Sequence, residues 1–123
     1  MPHADTLRAA YAAYRSGDLA GILAPLDEQI EWHVPTVLPQ GGTYHGHAGV
    51  VEYLKTLAAS LTDASVEVDA VLEDGDRVLV TGQVTSAEAS YGFAHSWQFA
   101  DERAIRFNEY VDYELSVSLR KAS

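Results

Sequence analysis

The stretch "GFAHSWQFAD", residues 92–101, decides the fold class. Its apolar residues alternate with polar or small ones, which is typical of a half-buried β-strand. One face of this predicted strand is aromatic and carries Tyr91, Phe93, Trp97 and Phe99. His95 lies in the middle of that face, where burial of an imidazole is costly unless it finds a hydrogen-bond partner. His95 is therefore either a core residue bonded to a neighbour or a pocket residue that does chemistry.

The same two-residue period continues on both sides of this stretch. Strands are predicted at about 65–73, 77–86, 91–100 and 104–115. The acidic turn "EDGD" joins the first two strands, and "ADERA" joins the last two. Upstream, "QIEWHVP" (29–35) is a further short strand, whereas residues 36–46 are rich in turn residues and too irregular for an element.

Helical periodicity is confined to the first half of the chain. Apolar residues recur at three- and four-residue spacing over residues 5–16 and again over about 47–60. Gly17 is placed to end the first helix, and Asp18 to cap a second, short helix that Pro25 limits. Helices followed by antiparallel strands indicate an α+β fold. We expect a curved sheet of four to five strands around three helices, with a cavity between them.

The composition excludes several classes of function. The 123 residues suffice for one domain with a real core, and we take residues 1–123 as that single domain. The formal net charge of −10 repels phosphate backbones and anionic lipids, so no nucleic acid and no membrane is an expected partner. Without cysteine there is no disulfide and no zinc–thiolate site. Since neither a long apolar run nor a signal-peptide pattern occurs, a cytoplasmic protein is expected.

Five segments of the chain carry a resemblance to a known family. They are "YRSGDLAGIL" (14–23), "EWHVP" (31–35), "GGTYHGHAGVVEYL" (41–54), "EDGDRVLVTG" (73–82) and "HSWQFADERAIRFNEYVD" (95–112). In this order they resemble the SnoaL-like family of the nuclear transport factor 2 (NTF2)-like superfamily, which also holds ketosteroid isomerase, polyketide cyclases and limonene epoxide hydrolase. The resemblance implies a cone-shaped α+β barrel, with three N-terminal helices packed in a curved, mainly antiparallel sheet. It also implies a deep apolar pocket, and often a dimer formed through the outer face of the sheet.

The resemblance gives His95 a candidate role. It places His95 where ketosteroid isomerase has a protonated aspartic acid, which donates a hydrogen bond to the developing oxyanion. An imidazole can donate as well, and its proton affinity near neutral pH suits acid–base work.

The last strand supplies the other predicted catalytic residues. Alternation places Asn108, Tyr110 and Asp112 on one face, and Phe107, Glu109 and Val111 on the other. The resemblance implies that the first set points into the pocket. It also places the acid–base aspartate of the polyketide cyclases at Tyr110, with Asp112 two residues later on the same face. The predicted catalytic set is therefore His95, Asp112 and Tyr110.

Other catalytic residues of the superfamily are replaced in this chain. The tyrosine of ketosteroid isomerase falls at Ala10, and Tyr11 and Tyr14 are out of phase with it. Its aspartate falls at Val34. His33 could replace that base only if it pointed inward, and alternation along its strand predicts that it points outward. Of the Asp–Arg–Asp set of limonene epoxide hydrolase, Arg106 is the only basic residue that strand phase brings near a candidate aspartate.

A small apolar ligand is the expected partner. The predicted binding residues are Trp32, Tyr53, Thr81, Gln83, Tyr91, Phe93, Trp97 and Asn108. Aromatic walls with a few polar points suit such a ligand, although the same residues could simply interdigitate as core. His45 and His47, with His33 nearby, have the spacing of a metal pair, but no carboxylate is fixed beside them. A loop position for His45 and a helix start for His47 is the alternative, and we expect no metal and no other cofactor.

Two hypotheses for the function remain open. The first is an isomerase- or cyclase-type enzyme, or a hydrolase, without a cofactor, acting by proton transfer next to a carbonyl on a steroid- or polyketide-like substrate. The second is a non-catalytic ligand-binding or dimerisation module. Pairing of His95 with Asp112 or Tyr110 beside open volume favours the enzyme, whereas His95 bonded to backbone in a collapsed cavity favours the module.

A homodimer is also expected. Its predicted interface is the outward sheet face, which is too apolar to be left in water. The residues assigned to that face are Ile105, Phe107, Val111 and Tyr113, together with Val78, Val80 and Val84.

Overall fold

The computed structural model describes residues 2–112, which fold into three helices and six strands. The helices are α1 (His3–Ser16), α2 (Leu19–Leu23) and α3 (Gly46–Ser60). The strands are β1 (Leu26–Val34), β2 (Gly42–His45), β3 (Ser65–Asp74), β4 (Arg77–Thr85), β5 (Ser90–Ala100) and β6 (Arg103–Val111). Within residues 2–112, no helix is long and apolar enough to cross a membrane.

Local signals set the junction between the first two helices, as predicted. Gly17 adopts the left-handed conformation with a φ of 73°, and its N–H bonds back to the carbonyl of Tyr14. The Asp18 carboxylate accepts the N–H of Gly21 in the first turn of α2. Helix α1 buries Leu7 and Tyr11, which share one of its faces because they are four residues apart.

The described strands form one curved, open sheet in the order β2-β1-β6-β5-β4-β3. Neighbouring strands are antiparallel except β1 and β6, which are parallel, so that Trp32 lies beside Phe107. The predicted α+β fold is confirmed, and the helices lie against one face of this sheet. The parallel contact places the N-terminal part of the chain beside its last described strand.

Strand β2 is absent from the sequence prediction. Residues 36–46 were expected to be irregular, yet Gly42–His45 pairs with β1 in an antiparallel register, with Thr43 opposite His33. The strand has four residues at the edge of the sheet, and the surrounding glycines, prolines and turns mask its short alternation. The sheet therefore has six described strands rather than the expected four to five.

The predicted faces of β4 and β6 are wrong. Val78, Val80, Val84 and Phe107 were assigned to the outer face of the sheet, but all four are buried inside. Ile105 and Val111 are half-buried, and Tyr113 lies outside the described residues. The cause is general, because each strand of a one-sided sheet turns its apolar set towards the core.

Because the inner and outer faces of these strands were exchanged in the prediction, several predicted site residues lie outside the interior. Tyr110 is 59% exposed, Asn108 is half-buried on the same outer face, and Asp112 is exposed beyond the end of β6. Thr81 lies opposite Ala94, and Gln83 opposite Gly92, on the outer face of β4 and β5. Directly paired residues of antiparallel strands share a face. Since His95 pairs with Glu109, Glu109 and not Tyr110 belongs to the interior.

Candidate functional site

A cavity of about 80 Å³ lies between the inner face of the sheet and the helices. Its wall is mainly apolar and aromatic, and His95 and Glu109 are its ionisable members apart from tyrosines. The half-buried lining residues Tyr14, Ile22 and Leu54 come from the three helices. They place the mouth of the cavity on the helical side.

The predicted ligand-binding residues lie in three different places. Trp32, Tyr53, Tyr91 and Trp97 line the cavity. Phe93 instead packs behind the wall, stacked on the His95 ring with 4.0 Å between centroids. The outward-facing Thr81, Gln83 and Asn108 take no part in the cavity lining.

His95 is the centre of a buried chain of hydrogen bonds. The Tyr11 hydroxyl lies 2.5 Å from His95 Nδ1, and the Trp97 indole N–H donates to the same hydroxyl at 3.1 Å. On the other side of the ring, His95 Nε2 lies 2.8 Å from Glu109 Oε2. The chain therefore runs from Trp97 through Tyr11 and His95 to Glu109, across α1, β5 and β6. His95 pairs neither with Asp112 or Tyr110 nor with the backbone.

One arrangement of protons satisfies all these contacts. The indole of Trp97 is a donor only, so we assign the Tyr11 hydroxyl as its acceptor and as the donor to His95 Nδ1. His95 Nε2 then carries the ring proton and donates it to the Glu109 carboxylate. In this arrangement a neutral imidazole faces an ionised carboxylate, and every proton of the chain has one acceptor.

Two polar atoms of cavity-lining residues are left over. Glu109 Oε1 and Trp32 Nε1 are buried and have no hydrogen-bond partner among residues 2–112. The Glu109 side chain is only 3% exposed. Buried polar groups are normally satisfied, so each leftover atom needs an explanation, and a bound ligand is one. The pair offers one acceptor and one donor.

The tyrosines of the cavity remain neutral phenols. Burial, and secondarily the negative charge of Glu109, raises the pKa of Tyr53 and Tyr91 well above the ordinary value of 10.0. Burial also raises the pKa of Tyr11; the Trp97 hydrogen bond opposes this rise, and the charge of Glu109 adds to it. The pKa of Tyr14 is raised by burial. These hydroxyls can therefore donate hydrogen bonds, but they cannot serve as bases at neutral pH.

The contacts decide which ionisable group can reach a ligand. Both nitrogens of His95 are already engaged, one by Tyr11 and one by Glu109. Within the part of the protein that the structure describes, Glu109 Oε1 is the acceptor of this hydrogen-bonded group that has no donor. Glu109 therefore keeps one polar atom without a partner among residues 2–112, whereas His95 keeps none.

Sequence reasoning missed both partners of His95. Glu109 was assigned to the outer face, although it stands opposite His95 in the β5–β6 hairpin. The signal was available, because burying Phe107 as an aromatic core residue also brings Glu109 inside two positions later. Tyr11 was judged out of phase with the catalytic tyrosine of ketosteroid isomerase, yet its hydroxyl reaches the imidazole from α1.

The remaining histidines lie apart from this chain of hydrogen bonds. His47 Nε2 donates to the backbone carbonyl of Leu26 at 2.8 Å, and His45 is exposed. His33 faces outward, as predicted, near Thr43 and Glu31. Within residues 2–112, no three His, Cys, Asp or Glu side chains are grouped so that they could hold a metal ion.

Comparison with known families identifies the fold. A family model described as a SnoaL-like domain matches residues 7–107. This chain belongs to the SnoaL-like family. The resemblance drawn from its five segments is thus confirmed, and the SnoaL-like family includes polyketide cyclases.

Several solved structures superpose on nearly the whole chain. An NTF2-like protein of unknown function from Burkholderia pseudomallei is 30% identical, with a TM-score of 0.86, and the match covers 97% of this chain and 98% of that one. TerC, co-crystallised with polyporic acid, is 32% identical with a TM-score of 0.86, over 98% of this chain and 99% of that one. IdmH from Streptomyces antibioticus, a proposed polyketide cyclase, is 16% identical with a TM-score of 0.81, over 97% and 98%. At that identity IdmH shows the shared fold alone. No curated protein matches the sequence.

Proposed function

We propose that this SnoaL-like protein binds a small, largely apolar ring compound of the polyketide or steroid type and transfers a proton beside one of its carbonyl groups. The observation that carries the proposal is the Glu109–His95 pair, 2.8 Å apart, in the wall of an apolar cavity. A carboxylate and an imidazole held together in a cleft of low polarity are typical of acid–base sites.

Glu109 is the proposed base. Its Oε1 takes a proton from the carbon next to the ligand's carbonyl, and the bonding electrons move onto the carbonyl oxygen to form an enolate. The Trp32 N–H, which has no partner among residues 2–112, is the proposed donor to that oxygen. The carboxyl group then returns the proton to the enolate, either at a different carbon or at oxygen, so Glu109 ends the cycle ionised.

His95 is a positioning residue in this proposal. Its Nε2–H holds Glu109 Oε2, so Oε1 is the carboxylate oxygen that remains for the ligand. Tyr11 and Trp97 in turn fix the tautomer of His95, which is the usual task of an outer hydrogen-bond partner. Tyr110 and Asp112, predicted as catalytic, have no place in the mechanism because they lie outside the cavity.

The size of the cavity limits the ligand. Sites that enclose drug-sized molecules measure about 300–1,000 Å³, whereas this cavity measures about 80 Å³. It therefore encloses a single ring, and the rest of a larger ligand must occupy the mouth beside the helices. TerC, which is 32% identical, was co-crystallised with polyporic acid, and this supports a small organic ligand for the present protein.

Deuterium exchange tests the proposed proton transfer. We expect the protein to accelerate exchange of the protons beside the carbonyl of 2-tetralone in D₂O, followed by proton NMR. Glu109→Gln should slow this exchange by about 100-fold or more, the usual contribution of a general base. Glu67→Gln is the matched control, since it removes the same charge from an exposed position on β3. Exchange no faster than in buffer with wild-type protein would contradict the proposal.

A non-catalytic binding module is the second candidate. The observation that favours it is the saturation of both His95 nitrogens by protein groups, which leaves the imidazole itself unable to meet a ligand. In that case the wild-type protein should bind 2-tetralone in an NMR titration without accelerating its exchange. The same experiment thus separates the two functions.

A further inference from the structure

We infer that the ligand presents a neutral hydroxyl group, a phenol or an enol, to Glu109 and Trp32, so that the cavity selects hydroxylated rings over ring acids and ring amines. This inference rests on the proposed function only in taking the cavity as the ligand site. It concerns which molecules bind, whether or not they react.

Glu109 requires a donor from the ligand. The Glu109 side chain is only 3% exposed, and its Oε2 already accepts the hydrogen bond from His95. Oε1 has no partner among residues 2–112, and it belongs to a residue that lines the cavity. A buried carboxylate oxygen left without a donor is costly. A ligand that supplies an O–H or N–H group removes this cost.

Trp32 narrows the choice of donor. Its indole N–H is also buried and unpartnered within the described residues, and Trp32 lines the same cavity. An ammonium group donates but cannot accept, so it satisfies Glu109 and leaves Trp32 without a partner. A carboxylate accepts from Trp32 but is repelled by Glu109. A hydroxyl group both donates and accepts, and it is uncharged.

The protein's own phenols show how such a group behaves at this site. The cavity-lining hydroxyls of Tyr53 and Tyr91 have a raised pKa, through burial first and the charge of Glu109 second. A ligand phenol that enters among them meets the same burial and the same charge, and so stays protonated. Because a phenol is a stable enol, it also mimics the enol that proton transfer beside a carbonyl would form.

A panel of single-ring compounds tests the inference by calorimetric titration. Phenol and toluene match in shape and differ in the hydroxyl group, while benzoate and benzylamine carry the two charged alternatives. We expect wild-type protein to bind phenol more tightly than benzoate and benzylamine. In Glu109→Gln the affinity ratio of phenol to toluene should fall about tenfold or more, as for a lost hydrogen bond to a charged group. Benzoate binding should improve in that variant, because the repelling charge is gone.

The outcomes separate this inference from the proposed function. Glu67→Gln should leave every ratio unchanged, and melting temperatures establish that each variant is folded. If Glu109→Gln fails to fold, the wild-type ranking still decides. Benzylamine or benzoate binding more tightly than phenol, no phenol binding at all, or an unchanged ratio in a folded Glu109→Gln protein overturns the inference. Phenol selectivity without deuterium exchange in 2-tetralone would instead retain this inference and overturn the proposed proton transfer.

Discussion

At the scale of single residues, the Tyr11 hydroxyl connects two parts of the molecule. It accepts a hydrogen bond from Trp97 and, in our proton assignment, donates one to His95, so one oxygen satisfies two buried groups. Its ring also packs at right angles to the Trp97 indole, with 6.3 Å between centroids. Tyr11 thus ties helix α1 to the middle of β5.

Tyr11→Phe tests this connection. The change keeps the ring but leaves the Trp97 N–H and His95 Nδ1 without their partner. We expect the free energy of unfolding to fall by about 2–4 kcal/mol, the cost of two unsatisfied buried groups. Urea denaturation measures the loss. Tyr14→Phe, one turn further along α1 and half-buried, is the control, with an expected loss below about 1 kcal/mol. Equal losses in the two variants would show that the Tyr11 hydroxyl stabilises nothing.

His95 itself was found from sequence, whereas both of its partners were missed. An imidazole in the middle of an aromatic strand face is a local signal, because alternation alone places it inside. Tyr11 is 84 positions away and Glu109 lies on the next strand, so both contacts depend on packing across elements. Tyr110 and Asp112 were chosen because the wrong face of β6 was assigned to the interior. Alternation divides the residues of a strand between two faces, but it does not determine which face points inward.

At the scale of elements, Gly82 makes room for the aromatic layer behind the cavity. It lies opposite Phe93 in the β4–β5 ladder. A Cβ at this position would lie 2.1 Å from the carbonyl oxygen of Glu67 and 2.7 Å from Phe93 Cζ. The absence of a side chain at Gly82 therefore allows the Phe93 ring to stack on His95. The need for glycine at position 82 of β4 thus helps to set the position of the His95 ring on β5.

Gly82→Ala should destabilise the sheet. Neither the Glu67 carbonyl nor the Phe93 ring can give way without moving a strand or a buried side chain, so we expect a loss of about 3 kcal/mol in urea denaturation. The control is Gly92→Ala, on the neighbouring strand. There the nearest heavy atom to an added Cβ is 3.8 Å away, an ordinary contact. A Gly82→Ala protein as stable as Gly92→Ala would contradict this account.

Elements were predictable where their signals are local. The Gly17 and Asp18 junction and the strands β3 to β5 follow from caps, turns and period, and the structure agrees closely. Strand β2 was missed because four residues among glycines carry too little alternation to be distinguished from a turn. Its extended conformation depends on the hydrogen bonds to β1, which its own sequence does not predict.

At the scale of the whole molecule, the outer sheet face remains the expected dimer interface, but with different residues. Its large exposed apolar side chains are Leu72, Leu79 and Tyr110. Leu72 pairs with Leu79 across β3 and β4, while Tyr110 pairs with Ala94 across β5 and β6. The small residues Ala94 and Ser96 of β5 lie between these side chains, and an apolar face of this kind favours contact with a second copy.

Leu79→Glu should convert the expected dimer into a monomer. The substitution puts a charge into the proposed interface, where burial without a partner is strongly unfavourable. Sedimentation velocity at micromolar concentration measures the state of both proteins. Ala12→Glu adds the same charge on the exposed side of α1 and should leave the dimer intact. A wild-type protein that sediments as a monomer would remove the interface from consideration.

The parallel contact between β1 and β6 has a consequence for how the protein is made. Trp32 lies beside Phe107, and Tyr11 contacts His95, 84 positions later. The two sides of the cavity are therefore synthesised at very different times. Contacts so distant along the polypeptide slow folding, since a long loop must close before they form. During synthesis, the hydrogen bond between His95 and Glu109 cannot form until β6 has left the ribosome. A product truncated before β6 therefore lacks both Glu109 and the strand that joins β1 to β5.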